Sequence, residues 1–379
     1  MQPIKEAVTQ YSWVMLSYRW ETQEPTLYDI QHKTIYDLDP AGTVVKLQKF
    51  CKAARDAGHR LAWSDTCCIN RLDIVELQVS DHSMFIWYHC SALTIVYLSD
   101  VPSSSKSGTL ANRAWNTRAW SIPELLAPKV IFFYQADWTL YLDNRSCNHK
   151  ESVSIMEELK HSTGINPRAL LAFRPGLRDA QEKLQWASTR ITARDENIAY
   201  SLFGIFGIHI PIIYGEGRQK MLGRFLQEII ARSGDIAALD RMGQSSDFNS
   251  CLPANISSYK ALPCMLPSLS EDEMQNSIST LRNNIVAVES ALKLYTTLEN
   301  LDRLRLPCIV FPLTEVKRRP GGDGDKCFTY EVKADRLQDL LVITEYKLVQ
   351  FSPARRTRQT FLLVYPCNWH NLEDSTDES

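Results

Sequence analysis

The chain has 379 residues, with 42 Lys and Arg against 44 Asp and Glu and a formal net charge of −2. That balance excludes a global basic field of the kind that nucleic acid or an anionic membrane surface selects, so no nucleic-acid partner is expected. Apolar residues make up 44% of the chain, enough for a sizeable buried core in two domains or one elaborated one.

Ten cysteines stand at 51, 67, 68, 90, 147, 251, 264, 308, 327 and 367. None is paired at C-x-x-C spacing or accompanied by a ladder of histidines, so no metal site is expected. The opening MQPIKEAVTQYSW lacks the long apolar core of a secretory signal, and no run approaches about 18 apolar residues. These features predict a cytoplasmic protein with reduced thiols and no transmembrane segment. The glycosylation-type triplets at Asn144 and Asn255 are then chance matches.

In chain order, Trp13 to Ser17 suits a buried strand. Thr43 to Ala57 sets Leu47, Phe50, Cys51, Ala54 and Ala57 on one helical face before Gly58, a natural C-terminal stop. Arg60 to Ser64 reads as a second strand and Asp65 to about Asp73 as a loop. Residues 76 to 92 read as a helix, and Leu93 to Leu98 as a third strand. After a Pro-, Ser- and Gly-bearing loop from Val101 to Asn112, a helix opens near Ser121 and a fourth strand runs from Val130 to Tyr134. This alternation predicts an α/β fold, an open and mostly parallel sheet with helices on both faces, over about residues 10–135.

Residues 150–235 read as a helical extension that completes a first domain over 1–235. In it, Thr192 with Asp195 suits the cap of a helix through Phe203. Arg218 to Arg232 spaces Met221, Leu222, Phe225, Leu226, Ile229 and Ile230 as a stripe ending at Gly234. Residues 245–372 predict an accessory β-rich region, with strands at Cys308 to Phe311, Phe328 to Val332, Leu340 to Thr344 and Thr360 to Val364. Lys317 to Asp325 is a predicted turn, and residues 373–379 a disordered acidic tail.

Open parallel sheets bind ligands outside the carboxyl ends of their strands. The residues after the first three strands are therefore the candidates: Ser17 to Glu21, Asp65 to Asn70, and the loop before Trp115. The segment WNTRAWSIPE, Trp115 to Glu124, places a carboxylate one helical turn after Trp120.

Four segments in order, WVMLSYRWE, SDTCCIN, RAWSIPE and the run from Trp186 to YGEG at Gly217, resemble the fungal heterokaryon-incompatibility (HET) domain family. That resemblance implies a role in fungal self/non-self recognition and programmed cell death. It also implies self-association or a partner death-signalling protein. WVMLSYRWE, the first strand and its loop, and RAWSIPEL are more distantly similar to TIR (Toll/interleukin-1 receptor) domains, which implies a flavodoxin/TIR-like fold. In enzymatic TIR domains a glutamate four residues after a tryptophan cleaves NAD+, a carry-over that falls on Glu124. Two departures are visible: Pro123 where HET domains commonly have Gln, and Trp20 where the TIR-like loop often has Gly.

One carboxylate suits that chemistry, because nicotinamide leaves NAD+ neutral and requires no general acid, unlike ordinary glycoside hydrolysis. Glu124 would stabilise positive charge developing on the ribose. The substrate contacts expected around it are Ser17, Arg19 on a phosphate, Trp20 or Trp120 as an aromatic wall, and Asp65 and Asn70 on a closing loop. NAD+ is substrate in this reading, and no cofactor is implied.

Each residue has a plainer reading beside it. Ser121 to Glu124 also spells a capping box. Arg19 has Glu21 nearby, the tryptophans suit packing, Asp65 suits a turn, and Cys67 and Cys68 suit small buried apolar positions. His82 and His89 share a helix without a third ligand. Tyr214-Gly-Glu-Gly217 reads as a tight turn before a helix, lacking the Lys-Ser/Thr of a phosphate loop. Arg190, Arg194, Asp195 and Glu196 read as a charged clamp between extension and sheet.

Overall fold

In this computed structural model, residues 12–40, 42–233, 236–239, 241, 243–249, 251–260, 308–319, 328–334, 340–344, 350–352 and 362–366 are described. The chain divides into two compact units, Met1–Gly176 with Trp186–Met221 and Leu177–Gln185 with Leu222–Ser379.

The first unit is built on β1 (Trp13–Tyr18), β2 (Leu61–Trp63), β3 (Leu93–Tyr97) and β4 (Ile131–Tyr134), all parallel, in the order β2-β1-β3-β4. Apart from end residues these are the strands the apolar runs predict, and the α/β class holds. Helices α1 (Leu27–Ile30) and α2 (Gly42–Asp56) join β1 to β2. Then α3 (Asp65–Cys68) and α4 (Ile74–Cys90) join β2 to β3, and α5 (Ser121–Leu126) joins β3 to β4.

Side-chain alternation along β1 decides what each face carries. Val14, Leu16 and Tyr18 pack with Leu47, Phe50 and Ala54 of α2, the face its periodicity marked. Met15 and Ser17 point the other way, buried beneath the elements that follow β3.

Two sequence expectations are corrected locally. The stretch from Asp65 is not all loop: Asp65–Cys68 is a helical turn, and α4 starts at Ile74 because Asp73 Oδ1 accepts from the amides of Val75 at 2.9 Å and Glu76 at 3.2 Å. Downstream lie α6 (Val153–Thr163), α7 (Pro167–Ala172), α8 (Ala180–Ala187), α9 (Asn197–Tyr200) and α10 (Phe203–Phe206). The single helix expected through Phe203 is thus broken into α9 and α10. Thr192 does not cap it, since its hydroxyl donates to the Arg194 carbonyl at 2.6 Å.

Helix α10 lies hard against α4. A Cβ built on Gly204 would fall 2.1 Å from the Cβ of Phe85, so no side chain fits there without moving a helix. Gly204→Ala is expected to destabilise the first unit by about 1–3 kcal/mol, read as a lower midpoint in urea.

The sheet's outer edge at β4 is closed by side chains. The outward amides of Ile131 and Phe133 donate to Asn148 Oδ1 at 3.1 Å and His149 Nδ1 at 3.0 Å. With Nδ1 accepting, the proton sits on Nε2, which donates to the Asn144 carbonyl at 2.9 Å. Burial holds this imidazole below its ordinary pKa, consistent with a neutral ring.

Helix α11 (Arg218–Ser233) begins in the first unit and belongs to the second from Leu222 on, and its stripe Met221, Leu222, Phe225, Leu226, Ile229 and Ile230 is buried throughout. Its expected stop at Gly234 lies outside the described residues. In the second unit, strands β5 (Cys308–Arg318), β6 (Phe328–Ala334), β7 (Leu340–Thr344) and β8 (Leu362–Pro366) form an antiparallel sheet in the order β7-β6-β5-β8. Val316, Tyr330 and Val332 are its buried centre. Lys317 and Arg318 belong to β5 rather than to the predicted turn; residues 320–325 and the acidic tail 373–379 lie outside the described residues.

Candidate functional site

The order β2-β1-β3-β4 makes β1 and β3 neighbours whose connections leave in opposite directions, and their carboxyl ends mark the switch point of the sheet. Three elements converge there: the end of β1, the loop from Trp115 to Arg118, and α5.

Ser17, on the inward face of the end of β1, is the pivot. Its hydroxyl accepts from Trp115 Nε1 at 2.7 Å and donates to Glu124 Oε2 at 2.5 Å. Arg118 stands 3.5 Å from the same carboxylate oxygen, and its Nη1 also donates to the Tyr18 carbonyl. Glu124 is only 2% exposed. Burial raises its pKa above the ordinary carboxylate value; the Arg118 charge and the Ser17 hydrogen bond oppose that rise, and the Asp65 charge adds to it.

A second cation supports the loop from behind. Arg190 Nη1 donates to the carbonyls of Asn116 at 2.6 Å and Arg118 at 3.1 Å and to Ser121 Oγ at 2.5 Å, while Nε donates to the Trp186 carbonyl at 3.1 Å. Burial lowers its pKa to about 10, against the favourable charge of Glu124. The far end of α5 is held by Lys150, whose Nζ donates to the carbonyls of Pro128 at 2.7 Å and Leu126 at 3.4 Å. Burial brings that ammonium down to about 7.

The capping-box reading of Ser121 to Glu124 is overturned. Trp120, half-buried and in helical conformation at φ −62° and ψ −23°, occupies the N-cap. Ser121 Oγ donates to the Arg118 carbonyl at 2.7 Å, and Glu124 reaches to β1 instead of back to its own helix.

The other candidates fall in separate places. Trp20, 41% exposed, donates from Nε1 to Asp65 Oδ2 at 2.7 Å and stacks under the Arg71 guanidinium, 3.8 Å from the ring centre. Arg71 also lies 3.6 Å from Asp65 Oδ2, whereas Asp65 Oδ1 is buried without a partner. Asn70 Oδ1 accepts from Tyr28 at 2.9 Å and from the Leu72 amide at 3.1 Å. Arg19 is exposed and makes no ion pair with a described residue, so the expected pairing with Glu21 does not form.

The structure thus brings Ser17 to Glu124 and Trp20 to Asp65, and leaves Asn70 and Arg19 outside both pairs. Sequence reasoning missed Arg118 altogether, and Trp115 and Arg190 as members of this network. No local signal marked them, because Arg118 and Arg190 stand among Asn, Thr and Ser residues as a surface arginine would.

The YGEG turn has an internal anion. Gly215 and Gly217, both at positive φ, direct their amides to Glu196 Oε1 at 3.0 and 3.2 Å. Arg218 pairs with Asp195, and Arg194 lies 4.6 Å over the Tyr214 ring. Cys67 is buried, its thiol pushed up to about 12 by burial, while Cys68 is exposed at residue level although burial of its thiol raises its pKa too. Among the described residues no group of three or more His, Cys, Asp or Glu is placed to hold a metal. No helix among them is long and apolar enough to cross a membrane.

A doubly wound α/β domain whose switch point is sealed by a Trp–Ser–Glu–Arg network is the class these features define. Residues 13–124, from the first residue of β1 to the buried glutamate, match the family described as "Heterokaryon incompatibility protein (HET)". It is also 34% identical over 242 residues to the vegetative incompatibility protein HET-E-1 of Podospora anserina; the aligned stretch is 60% of this chain and 17% of that protein. No solved structure matches the chain.

Proposed function

We propose that this chain acts in heterokaryon incompatibility as a cytoplasmic, non-enzymatic signalling module that works by contact with a second copy or a partner death-signalling protein. In this reading Glu124 fastens α5 to β1 and does not react. The carrying observation is its burial, 2% exposed, with Oε2 held by Ser17 and Arg118. A carboxylate so enclosed has no face for a sugar without breaking that network. The HET-domain match and the likeness to a vegetative incompatibility protein support the biological role.

A second reading, NAD+ cleavage by Glu124 when the protein is clustered, draws on different observations. The carboxylate lies at the switch point, its pKa is raised, and Arg19 stands exposed after β1. It requires that clustering open the Ser17 and Arg118 contacts.

Glu124→Gln separates the two readings. The amide keeps an acceptor for Ser17 and loses only the charge. For the contact module, cells expressing it are expected to die as wild type does, and clustered wild-type protein releases no nicotinamide from NAD+. Loss of both killing and nicotinamide release in a variant that melts within a few degrees of wild type would establish the hydrolase instead.

A further inference from the structure

Helix α4 is apolar on two opposite sides. Ser80, Met84, Phe85 and Tyr88 bury one side against the domain. On the other, Leu72 just before the helix and Val75, Val79, Ser83, Ile86 and Cys90 recur at spacings of 3, 4, 4, 3 and 4, a single stripe. Leu72 is 80% exposed, Val75 64%, Val79 56% and Ile86 55%. A helix that only packs on its own sheet has no use for four large aliphatic groups in water.

We infer that this stripe is the contact by which a second copy of the chain docks, helix against antiparallel helix about a twofold axis between residues 82 and 83. The inference rests on the self-associating form of the reading above.

Three features select a second copy. The first is self-complementarity: about that axis Val79 meets the partner's Ile86 and Val75 the partner's Cys90, while the small side chain of Ser83 at the centre lets the helices approach. The second is charge. No stripe residue is charged, and the antiparallel arrangement sets each helix's positive end beside the other's negative end. Glu76 and its copy then lie about 20 Å apart along the axis at 1.5 Å per residue, beyond the screening length of about 8 Å, whereas parallel helices would bring them together.

The third is area. Four such side chains expose on the order of 300–400 Å² per copy, roughly half of the 800 Å² per partner of a stable complex. That suits association which is weak in dilute solution and strengthens when copies are concentrated.

The test is sedimentation of the full chain across rising concentration, with Val79→Lys, Ile86→Glu and the double substitution V79K/I86E. Both positions face solvent, so folding is not at risk. Each single change is expected to weaken self-association by about tenfold or more. The double change should restore it, because the axis places each introduced base against an introduced acid.

Under mild oxidant, Val75→Cys should give a disulfide-linked dimer through the free, exposed Cys90, and V75C/C90S should not. A chain that stays monomeric at every concentration overturns the inference, as does a double variant no better than the singles with no cross-link. Stripe variants that abolish killing in a strictly monomeric protein would assign the surface to a different partner. None of these results bears on Glu124→Gln, so the docking surface and the contact-module reading fail separately.

Discussion

Glu124→Ala is expected to cost the first unit about 2–4 kcal/mol, because it leaves the half-buried Arg118 guanidinium without its carboxylate and the buried Ser17 hydroxyl without its acceptor. Glu124→Gln, which still accepts from Ser17, is expected to cost about 1–2 kcal/mol. Urea unfolding of the two variants beside wild type checks the order.

The pH dependence has a definite sign. The folded-state pKa of Glu124 lies above the ordinary value of 4.5, so the folded protein holds this proton more tightly than the unfolded chain. The resulting stabilisation is full below that ordinary value and is lost as pH rises through the raised one. Gln carries no such proton. The stability advantage of wild type over Glu124→Gln is therefore expected to shrink as pH climbs from about 4.5, then level off once the acid is ionised.

Arg190→Ala is the second large effect. Four acceptors, three of them main-chain carbonyls, lose a donor at once in a site where Arg190 is 7% exposed, and of these the Arg118 carbonyl keeps Ser121 Oγ. At about 1–3 kcal/mol for each buried group left unpaired, with partial relaxation, a net loss of about 3–5 kcal/mol is expected. Arg190→Lys should recover less than half, since an ammonium lacks the planar fork that reaches several acceptors. Hydrogen exchange over residues 113–121 should accelerate in both variants, which distinguishes release of this loop from general destabilisation.

The strands and the long helices were legible because apolar spacing directly encodes burial. Val14, Leu16 and Tyr18 alternate with Met15 and Ser17, and the α11 stripe repeats at helical period. The site was legible only as a set of loops. Ser17 and Glu124 are 107 residues apart, and no local pattern announces their hydrogen bond. Strand parity separates Ser17 from Tyr18, so the residues after strand ends were divided between two faces of the sheet.

The Ser-x-x-Glu pattern misled for a definable reason. A capping box requires an extended N-cap residue, and here the chain reaches α5 through Trp120, already helical. Glu196 shows the same limit. Its place beside Asp195 suggested a clamp, but only the fold shows that it fills the amide pocket of Gly215 and Gly217.

The treatment of β4 bears on how copies of this protein can assemble. A bare outer strand would template addition of foreign strands, the route to cross-β fibres. With Asn148 and His149 occupying the outward amides of Ile131 and Phe133, and β2 at the opposite margin only three residues long, the parallel sheet offers no adequate template on either flank. Copies of the chain held close together therefore have little means of joining edge to edge through this sheet.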